Sequence, residues 1–122
     1  MASKKILIVD DDADFRRLVH DYFKSMGYEV KSAENSDAAM ESFKKNKPRV
    51  VLLDFNIPKV SGEKFLPVLQ GIDPMVKVIV ITGFVEEDVE EKFQGLGYFA
   101  FFEKSALSLE KLKAKVDEAL NY

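Results

Sequence analysis

Apolar and polar residues follow two alternating patterns along this chain. Five short segments, apolar or alternating, are typical of β-strands in a buried sheet. They are the segments 5–10, 28–33, 49–54, 75–82 and 98–104. After each of them, apolar residues recur three or four positions apart, which is the spacing of a helix face. These stretches predict helices over 15–26, from Asn35 or Ser36 to about Asn46, over 63–71, over 85–96, and after Ser108.

Helical spacing also predicts which residues of each helix face the core. In the first helix, Leu18, Val19, Tyr22 and Phe23 form the expected buried stripe. The third helix contains Pro67, which lacks an amide hydrogen and is expected to kink or break it. The apolar positions of the last two helices are Val85, Val89, Phe93 and Leu96, and then Leu109, Leu112, Val116 and Leu120.

The regular alternation of strands and helices indicates βα units. Such units build a parallel sheet, and right-handed crossovers cover both of its faces with helices. We therefore expect one doubly wound α/β domain over residues 1–122, with five parallel strands and five helices and no output domain in this chain. In this architecture, ligands bind beyond the carboxyl ends of the strands.

Composition excludes several kinds of site. The 122 residues include no cysteine, so disulfides, thiolate metal sites and a cysteine nucleophile are ruled out. The single histidine, His20, cannot form a histidine-rich zinc site. A net charge of -3 provides no basic surface for nucleic acid, and no apolar run is long enough to span a membrane. We expect a soluble cytoplasmic protein that binds neither nucleic acid nor membrane.

Chemically active side chains lie at the ends of four of the five predicted strands. Asp10 ends the first strand and Asp11 follows it, Asp54 ends the third, Thr82 the fourth and Lys104 the fifth. If the first and third strands are neighbours, the three carboxylates meet in one pocket, where they cannot all ionise without a compensating cation. Carboxylate and carbonyl oxygens suit Mg²⁺. A carboxylate can itself act as a nucleophile toward phosphorus, while lysine and hydroxyl groups contact the phosphoryl oxygens.

Four motifs together resemble the receiver domain of bacterial two-component response regulators. They are VDDD after the first strand, LLDFNIPKVSG around the end of the third, VIVITG at the end of the fourth and FFEK at the end of the fifth. The resemblance covers essentially the whole chain. It implies a flavodoxin-like sheet with strand order 2-1-3-4-5. It also implies a phosphorylation-dependent signalling switch that catalyses its own phosphorylation and dephosphorylation but is not a turnover enzyme.

The resemblance also implies a role for each site residue. Asp54 would accept the phosphoryl group, and Thr82 and Lys104 would contact it. Mg²⁺ would be held by Asp10, Asp11 and Asp54 and by the backbone carbonyl of Asn56. The donor would be a sensor histidine kinase or a phosphotransfer protein. The surface of the fourth helix, fifth strand and fifth helix would then change and be read by an output partner or domain, or form a homodimer. Phe101 occupies the position of the family's aromatic switch residue.

One departure from the family pattern concerns the residue after the lysine. The family usually has proline there, joined by a cis bond, whereas this chain has Ser105. Because a cis bond before a residue other than proline costs about 3 kcal/mol, we expect a trans bond and a reshaped loop. This departure favours one alternative, a receiver-like interaction module that works without phosphorylation. A third hypothesis, a phosphatase of the haloacid-dehalogenase type, would need a second aspartate where this chain has Asn56.

Overall fold

A five-stranded parallel sheet forms the centre of the protein. The structure is a computed structural model, and it describes residues 4–83, 91 and 95–121. The strands are β1 (Lys5–Val9), β2 (Glu29–Ala33), β3 (Val50–Asp54), β4 (Lys77–Thr82) and β5 (Ala100–Glu103). Their order is β2-β1-β3-β4-β5, and every neighbouring pair is parallel. The predicted flavodoxin-like sheet is confirmed.

Helices follow the strands in the predicted alternation. They are α1 (Ala13–Ser25), α2 (Ser36–Asn46), α3 (Gly62–Ile72) and the C-terminal helix (Leu109–Leu120), which a short 3₁₀ turn (Lys104–Ala106) precedes. Most of the predicted helix over 85–96 lies outside the described residues, with Val85, Val89 and Phe93 among those left out. Across the described ranges, no helix combines the length and the apolar character needed to cross a bilayer.

Within the described residues, a pair of helices packs on each face of the sheet. Alternate side chains of the strands point to opposite faces, so a strand buried on both sides contributes to two separate cores. On one face α2 and α3 pack over a cluster that includes Leu7, Leu53 and Val80. On the other face α1 and the C-terminal helix pack over a cluster that includes Ile8, Leu52 and Ile81. All five residues of β3 are buried.

Polar side chains start three of the helices. The carboxylate of Asp12 accepts hydrogen bonds from the backbone N–H groups of Asp14 and Phe15 at 3.1 and 3.2 Å, which begins α1. Asn35 caps α2 in the same way, and Ser108 caps the C-terminal helix. Such caps stabilise a helix by about 1 kcal/mol because they satisfy amide groups that have no partner within the helix.

The predicted buried stripe of α1 is partly wrong. Val19 and Phe23 are fully buried and Tyr22 is half-buried, but 54% of Leu18 is exposed. At 3.6 residues per turn, Leu18 lies about 120° from the middle of the face that Val19 and Phe23 define. Met26, the last residue of the predicted helix, lies just beyond the end of α1 at Ser25, where it is the C-cap and is 47% exposed.

The third helix is not broken at Pro67, because α3 continues through this residue from Gly62 to Ile72. Its inner side chains, Phe65, Leu66 and Leu69, are buried against the sheet. Burial of large apolar side chains contributes about 1.5–3 kcal/mol each, which together exceeds the roughly 3 kcal/mol cost of an interior proline. Packing therefore maintains the helix despite the missing amide hydrogen.

The end of β5 is shorter than predicted, and the chain turns at once. The strand stops at Glu103, so Lys104 opens the 3₁₀ turn rather than closing the strand. The described part of the chain contains no cis peptide bond, and the bond between Lys104 and Ser105 is therefore trans, as the sequence predicts. The reshaped loop after β5 is thus a compact turn.

Candidate functional site

Three carboxylates converge at the carboxyl ends of β1 and β3. One carboxylate oxygen from each of Asp10, Asp11 and Asp54 lies within 4.8 Å of the other two. They meet because β1 and β3 are adjacent in the sheet, with Val9 paired to Leu53 in register. Asp10 and Asp54 are 2% and 5% exposed, whereas Asp11 lies at the surface. The predicted cluster of carboxylates is therefore present, with one member open to solvent.

Asp10 is the most firmly held of the three. Its Oδ2 lies 2.8 Å from Nζ of Lys104, and its Oδ1 accepts the backbone N–H of Asp12 at 2.9 Å. Its backbone is fixed as well, because its carbonyl accepts a hydrogen bond from Nη1 of Arg16 at 2.7 Å and its N–H donates to Ala33 at 3.0 Å. This arrangement ties the segment after β1 to α1, to β2 and to the turn after β5.

Asp54 is the last residue of a strand that is buried along its whole length. Its carboxylate accepts the backbone N–H of Asn56, and its Oδ2 lies 3.9 Å from Nζ of Lys104. The following loop returns tightly, because Gly62 donates its N–H to the carbonyl of Phe55 at 2.8 Å. A Cβ on Gly62 would lie 2.5 Å from the backbone oxygen of Asp54, so this close approach requires glycine.

The loop between β3 and α3 is also anchored to the start of α2. Lys59 forms an ion pair with Asp37, and Oγ of Ser36 donates to the carbonyl of Pro58 at 3.4 Å. Lys59 has a φ of 78°, a left-handed conformation that is uncommon for residues other than glycine. These contacts hold the backbone just beyond Asp54 in a defined position.

Lys104 reaches into the pocket from the turn that follows β5. Its side chain is 19% exposed, and its Nζ lies 4.5 Å from the centre of the Phe15 ring. A Cβ placed on Gly83 would lie 3.6 Å from Cδ of Lys104, so the stem of the lysine runs past this glycine with room for one added carbon. The lysine thus enters the cluster of carboxylates, as the sequence predicts.

Burial and mutual repulsion raise the pKa of two carboxyl groups in the pocket. Burial is the largest cause for Asp54, followed by the negative charge of Asp10, and together they raise its pKa from 3.8 to about 6. Lys104 and the N–H of Asn56 oppose this rise. The pKa of Asp10 is raised mainly by burial as well, against the hydrogen bond from Lys104. The positive charge and hydrogen-bond donors of the protein therefore only partly offset the cost of ionising Asp10 and Asp54.

The donor set fits a hard divalent cation. Two buried carboxylates with raised pKa values and a third open to solvent provide closely spaced oxygen ligands and an excess of negative charge. Mg²⁺ prefers such oxygen donors and retains several waters, which the exposed side of Asp11 would accommodate. The acidic triad is typical of the metal site in receiver domains.

The remaining predicted residues lie at the end of β4, just beyond β3 and within β5. Thr82 is the last residue of β4, is 1% exposed, and pairs in register with Glu103 next to Lys104. Asn56 is exposed two residues beyond Asp54. Phe101 is half-buried, and its ring centre lies 6.0 Å from that of Tyr98.

Two contacts in the pocket were not predicted from the sequence. Arg16 binds the carbonyl of Asp10, and Phe15 covers the ammonium group of Lys104. Phe15 was predicted only to lie at the start of the first helix, and nothing in the linear pattern links it to Lys104. Both residues occupy the first turns of α1, immediately after the acidic run, and that position is the one signal that placed them near the site.

Comparison with known proteins decides the family. The family model described as "Response regulator receiver domain" matches residues 6–117. The chain belongs to the response regulator receiver domain family. Sporulation initiation phosphotransferase F of Bacillus subtilis (strain 168) is 36% identical over 104 residues, which cover 85% of this chain and 84% of that protein.

Two further similarities agree with this receiver domain assignment. Regulatory protein AtoC of Escherichia coli (strain K12) is 31% identical over 119 residues, which cover 98% of this chain but 26% of that longer protein. The crystal structure of a response regulator receiver domain protein (CheY-like) from Methanospirillum hungatei JF-1 superposes with a TM-score of 0.90 at 25% identity. That superposition covers 98% of this chain and 94% of the other.

Family membership and the acidic pocket together define the activity. The receiver domain is a phosphoaspartate signalling switch of two-component systems, with an acidic pocket formed by Asp10, Asp11 and Asp54. It is a phosphoacceptor and not a turnover enzyme, so the phosphatase hypothesis is set aside. Its partner is a kinase or a phosphotransfer protein.

Proposed function

We propose that Asp54 is the residue that accepts the phosphoryl group, from a sensor histidine kinase or a phosphotransfer protein. The observation that carries this assignment is the burial of Asp54 at the end of β3, between two other carboxylates and Lys104. A carboxylate oxygen of Asp54 forms the new bond to phosphorus, while the bond between phosphorus and the donor imidazole breaks. The electron pair of that bond returns to the imidazole nitrogen.

The pocket would hold Mg²⁺ through the carboxylates of Asp10, Asp11 and Asp54 and the backbone carbonyl of Asn56. When bound, the ion would neutralise negative charge on the carboxylates and on the phosphoryl oxygens. The support is the fit of the oxygen donors and the raised pKa values of Asp10 and Asp54. The exposed position of Asp11 leaves this side of the pocket accessible.

Lys104 and Thr82 would stabilise the phosphorylated form directly. The ammonium group of Lys104 is 3.9 Å from the Asp54 carboxylate, so a small movement brings it to a phosphoryl oxygen. Thr82 contributes a hydroxyl hydrogen-bond donor from the adjacent strand end. The negative charge added to Asp54 therefore attracts both residues, which is the local event of the switch.

That movement would be read on the surface that the sequence assigns to the predicted fourth helix, to β5 and to the C-terminal helix. Phe101, at the middle of β5, is half-buried and has no hydroxyl group, so it would respond by repacking against neighbours such as Tyr98. An output partner or domain, or a second copy of the chain, would bind this surface.

We further propose that residues 1–122 act as one cytoplasmic receiver domain that binds neither nucleic acid nor membrane itself.

Intact-protein mass spectrometry tests the acceptor. The chain is incubated with acetyl phosphate, with and without Mg²⁺, beside an Asp54→Ala variant. We expect a gain of one phosphoryl group that needs Mg²⁺ and is absent from Asp54→Ala. The matched control is Asp21→Ala, which removes an exposed carboxylate from the outer side of α1 and should leave phosphorylation intact. Phosphorylation of Asp54→Ala at the normal level would refute the assignment.

One observation favours a second function, an interaction module that works without phosphorylation. Ser105 stands where the family usually has proline, and Lys104 opens a 3₁₀ turn in which the Lys104–Ser105 bond is trans. If neither acetyl phosphate nor a phosphorylated histidine kinase modifies the protein in the presence of Mg²⁺, this second function is the better explanation. The position of Lys104 between Asp10 and Asp54 argues for the first.

A further inference from the structure

The position of Lys104 depends on side-chain contacts more than on its backbone. Lysine has a flexible four-carbon stem and loses considerable rotamer freedom when its head is fixed. Here the residue begins a 3₁₀ turn and is followed by Ser105, so no proline ring restricts the backbone next to it. Contacts along the side chain must therefore supply the precision that a phosphoryl-binding cation needs.

Three contacts surround the ammonium group in the resting protein. It lies 2.8 Å from Asp10 and 3.9 Å from Asp54, and it sits over the ring of Phe15 at 4.5 Å from the ring centre. The face of an aromatic ring attracts a cation within about 6 Å of its centre. Asp10 draws the ammonium group away from Asp54, whereas the ring of Phe15 supports it from the α1 side.

We propose that Phe15 is a positioning residue for phosphoryl transfer, and that its ring face keeps the ammonium group of Lys104 inside the pocket, ready to move to the phosphoryl oxygens on Asp54. This proposal rests on the proposed function of Asp54 and Lys104. In this role Phe15 does not itself bind the phosphoryl group. It acts through Lys104, because it reduces the number of side-chain conformations that the lysine samples before its ammonium group moves to the phosphoryl oxygens.

The competing explanation is that Phe15 is simply a packing residue. Its ring does pack at the edge of the core under α1, and any apolar side chain of similar size would serve that purpose. The two explanations differ in what they require of the ring. Packing requires volume, whereas positioning of a cation requires the negative electrostatic potential of the ring face.

The experiment varies that potential at constant shape. Phenylalanine carrying one, two or three fluorine atoms is incorporated at position 15, and the initial rate of phosphorylation by acetyl phosphate with Mg²⁺ is measured for each protein. We expect the rate to fall with each added fluorine, and Phe15→Leu to be slower by about 2- to 5-fold, the factor that a cation–π contact at a partly exposed site supports. Phe15→Tyr should retain the rate.

Two controls separate this proposal from its alternatives. Tyr22→Leu removes a half-buried ring from α1 whose close neighbour is Phe23, and its rate should be unchanged. In the Lys104→Met background the fluorine series should become flat, because no cation remains for the ring to attract. A rate that is independent of ring fluorination, or a series that persists in Lys104→Met, would overturn the proposal.

A spectroscopic measurement makes the result independent of the acceptor assignment. Protons held over a ring face are shifted upfield in NMR spectra, so the ε-methylene protons of Lys104 should be upfield of other lysines and return to ordinary values in Phe15→Leu. If this shift is present but the protein is never phosphorylated, the function proposed for Asp54 fails while the contact stands. If the shift is absent, the positioning role of Phe15 fails.

Discussion

Replacing Asp54 with asparagine is expected to stabilise the folded protein at neutral pH in the absence of divalent cations. Burial and the neighbouring Asp10 raise the pKa of Asp54 from 3.8 to about 6, so the ionised carboxylate is unfavourable in the folded state. One pKa unit corresponds to about 1.4 kcal/mol, which gives about 3 kcal/mol as the largest gain from removing the charge. Asparagine keeps an oxygen that can accept the N–H of Asn56.

The sign of the pH dependence follows from linkage. Because the folded pKa lies above the unfolded one, protonated Asp54 contributes stability that is fully present below about pH 4. That contribution is lost as the pH rises through about 6. The difference in free energy of unfolding between Asp54→Asn and the original chain should therefore be small near pH 4 and reach its maximum above pH 7.

Urea denaturation in EDTA at a series of pH values measures this difference directly. Glu41→Gln is the matched control, because it neutralises an exposed carboxylate on α2 and should change stability little at any pH. Adding Mg²⁺ should narrow the gap at pH 7.5 by stabilising the original chain. A variant that is less stable than the original chain at pH 7.5, or a gap that is constant with pH, would refute the reasoning.

Further predictions concern the packing that supports the site. Tyr28→Phe should lower the free energy of unfolding by about 1–2 kcal/mol, because Tyr28 donates a hydrogen bond to Asp117 of the C-terminal helix. In the original chain, the pKa of Tyr28 near 12 should appear as one tyrosine that ionises late in an ultraviolet titration. Gly62→Ala should destabilise the fold and slow phosphorylation, since its Cβ would meet the backbone oxygen of Asp54. Gly71→Ala, in the same helix with open space around it, should instead stabilise by about 0.5–1 kcal/mol; equal effects of the two substitutions in thermal unfolding would contradict this argument.

The fold was largely predictable because its elements are short and their patterns distinct. A strand buried on both faces appears in the sequence as a continuous apolar run. The C-terminal end of each predicted strand lies within two residues of the C-terminal end of the observed strand. The prediction failed where tertiary packing decides. Leu18 has an apolar side chain typical of a core but is exposed to solvent. Pro67 lies within a helix that is maintained by the packing of its buried neighbours.

The site was predictable to a similar extent and for a related reason. The carboxyl ends of parallel strands meet at one edge, so Asp10, Asp54, Thr82 and Lys104 had to approach one another once the strand order was known. The contacts of Phe15 and Arg16 with this group depend on the rotation of α1 about its axis and on side-chain rotamers. Neither quantity is encoded in a periodic pattern.

The strand order has a consequence for when the protein can signal. The residues of the pocket come from the ends of β1, β3, β4 and β5, so they are dispersed over most of the chain and joined only by long-range contacts. Such contacts form late in folding, after the entropy of closing long loops has been overcome. A nascent or partly unfolded chain therefore has the aspartate but not the lysine beside it. With the roles proposed for Asp54 and Lys104, phosphoryl transfer would require the entire sheet to be assembled, so an incomplete molecule would stay silent instead of giving a false signal.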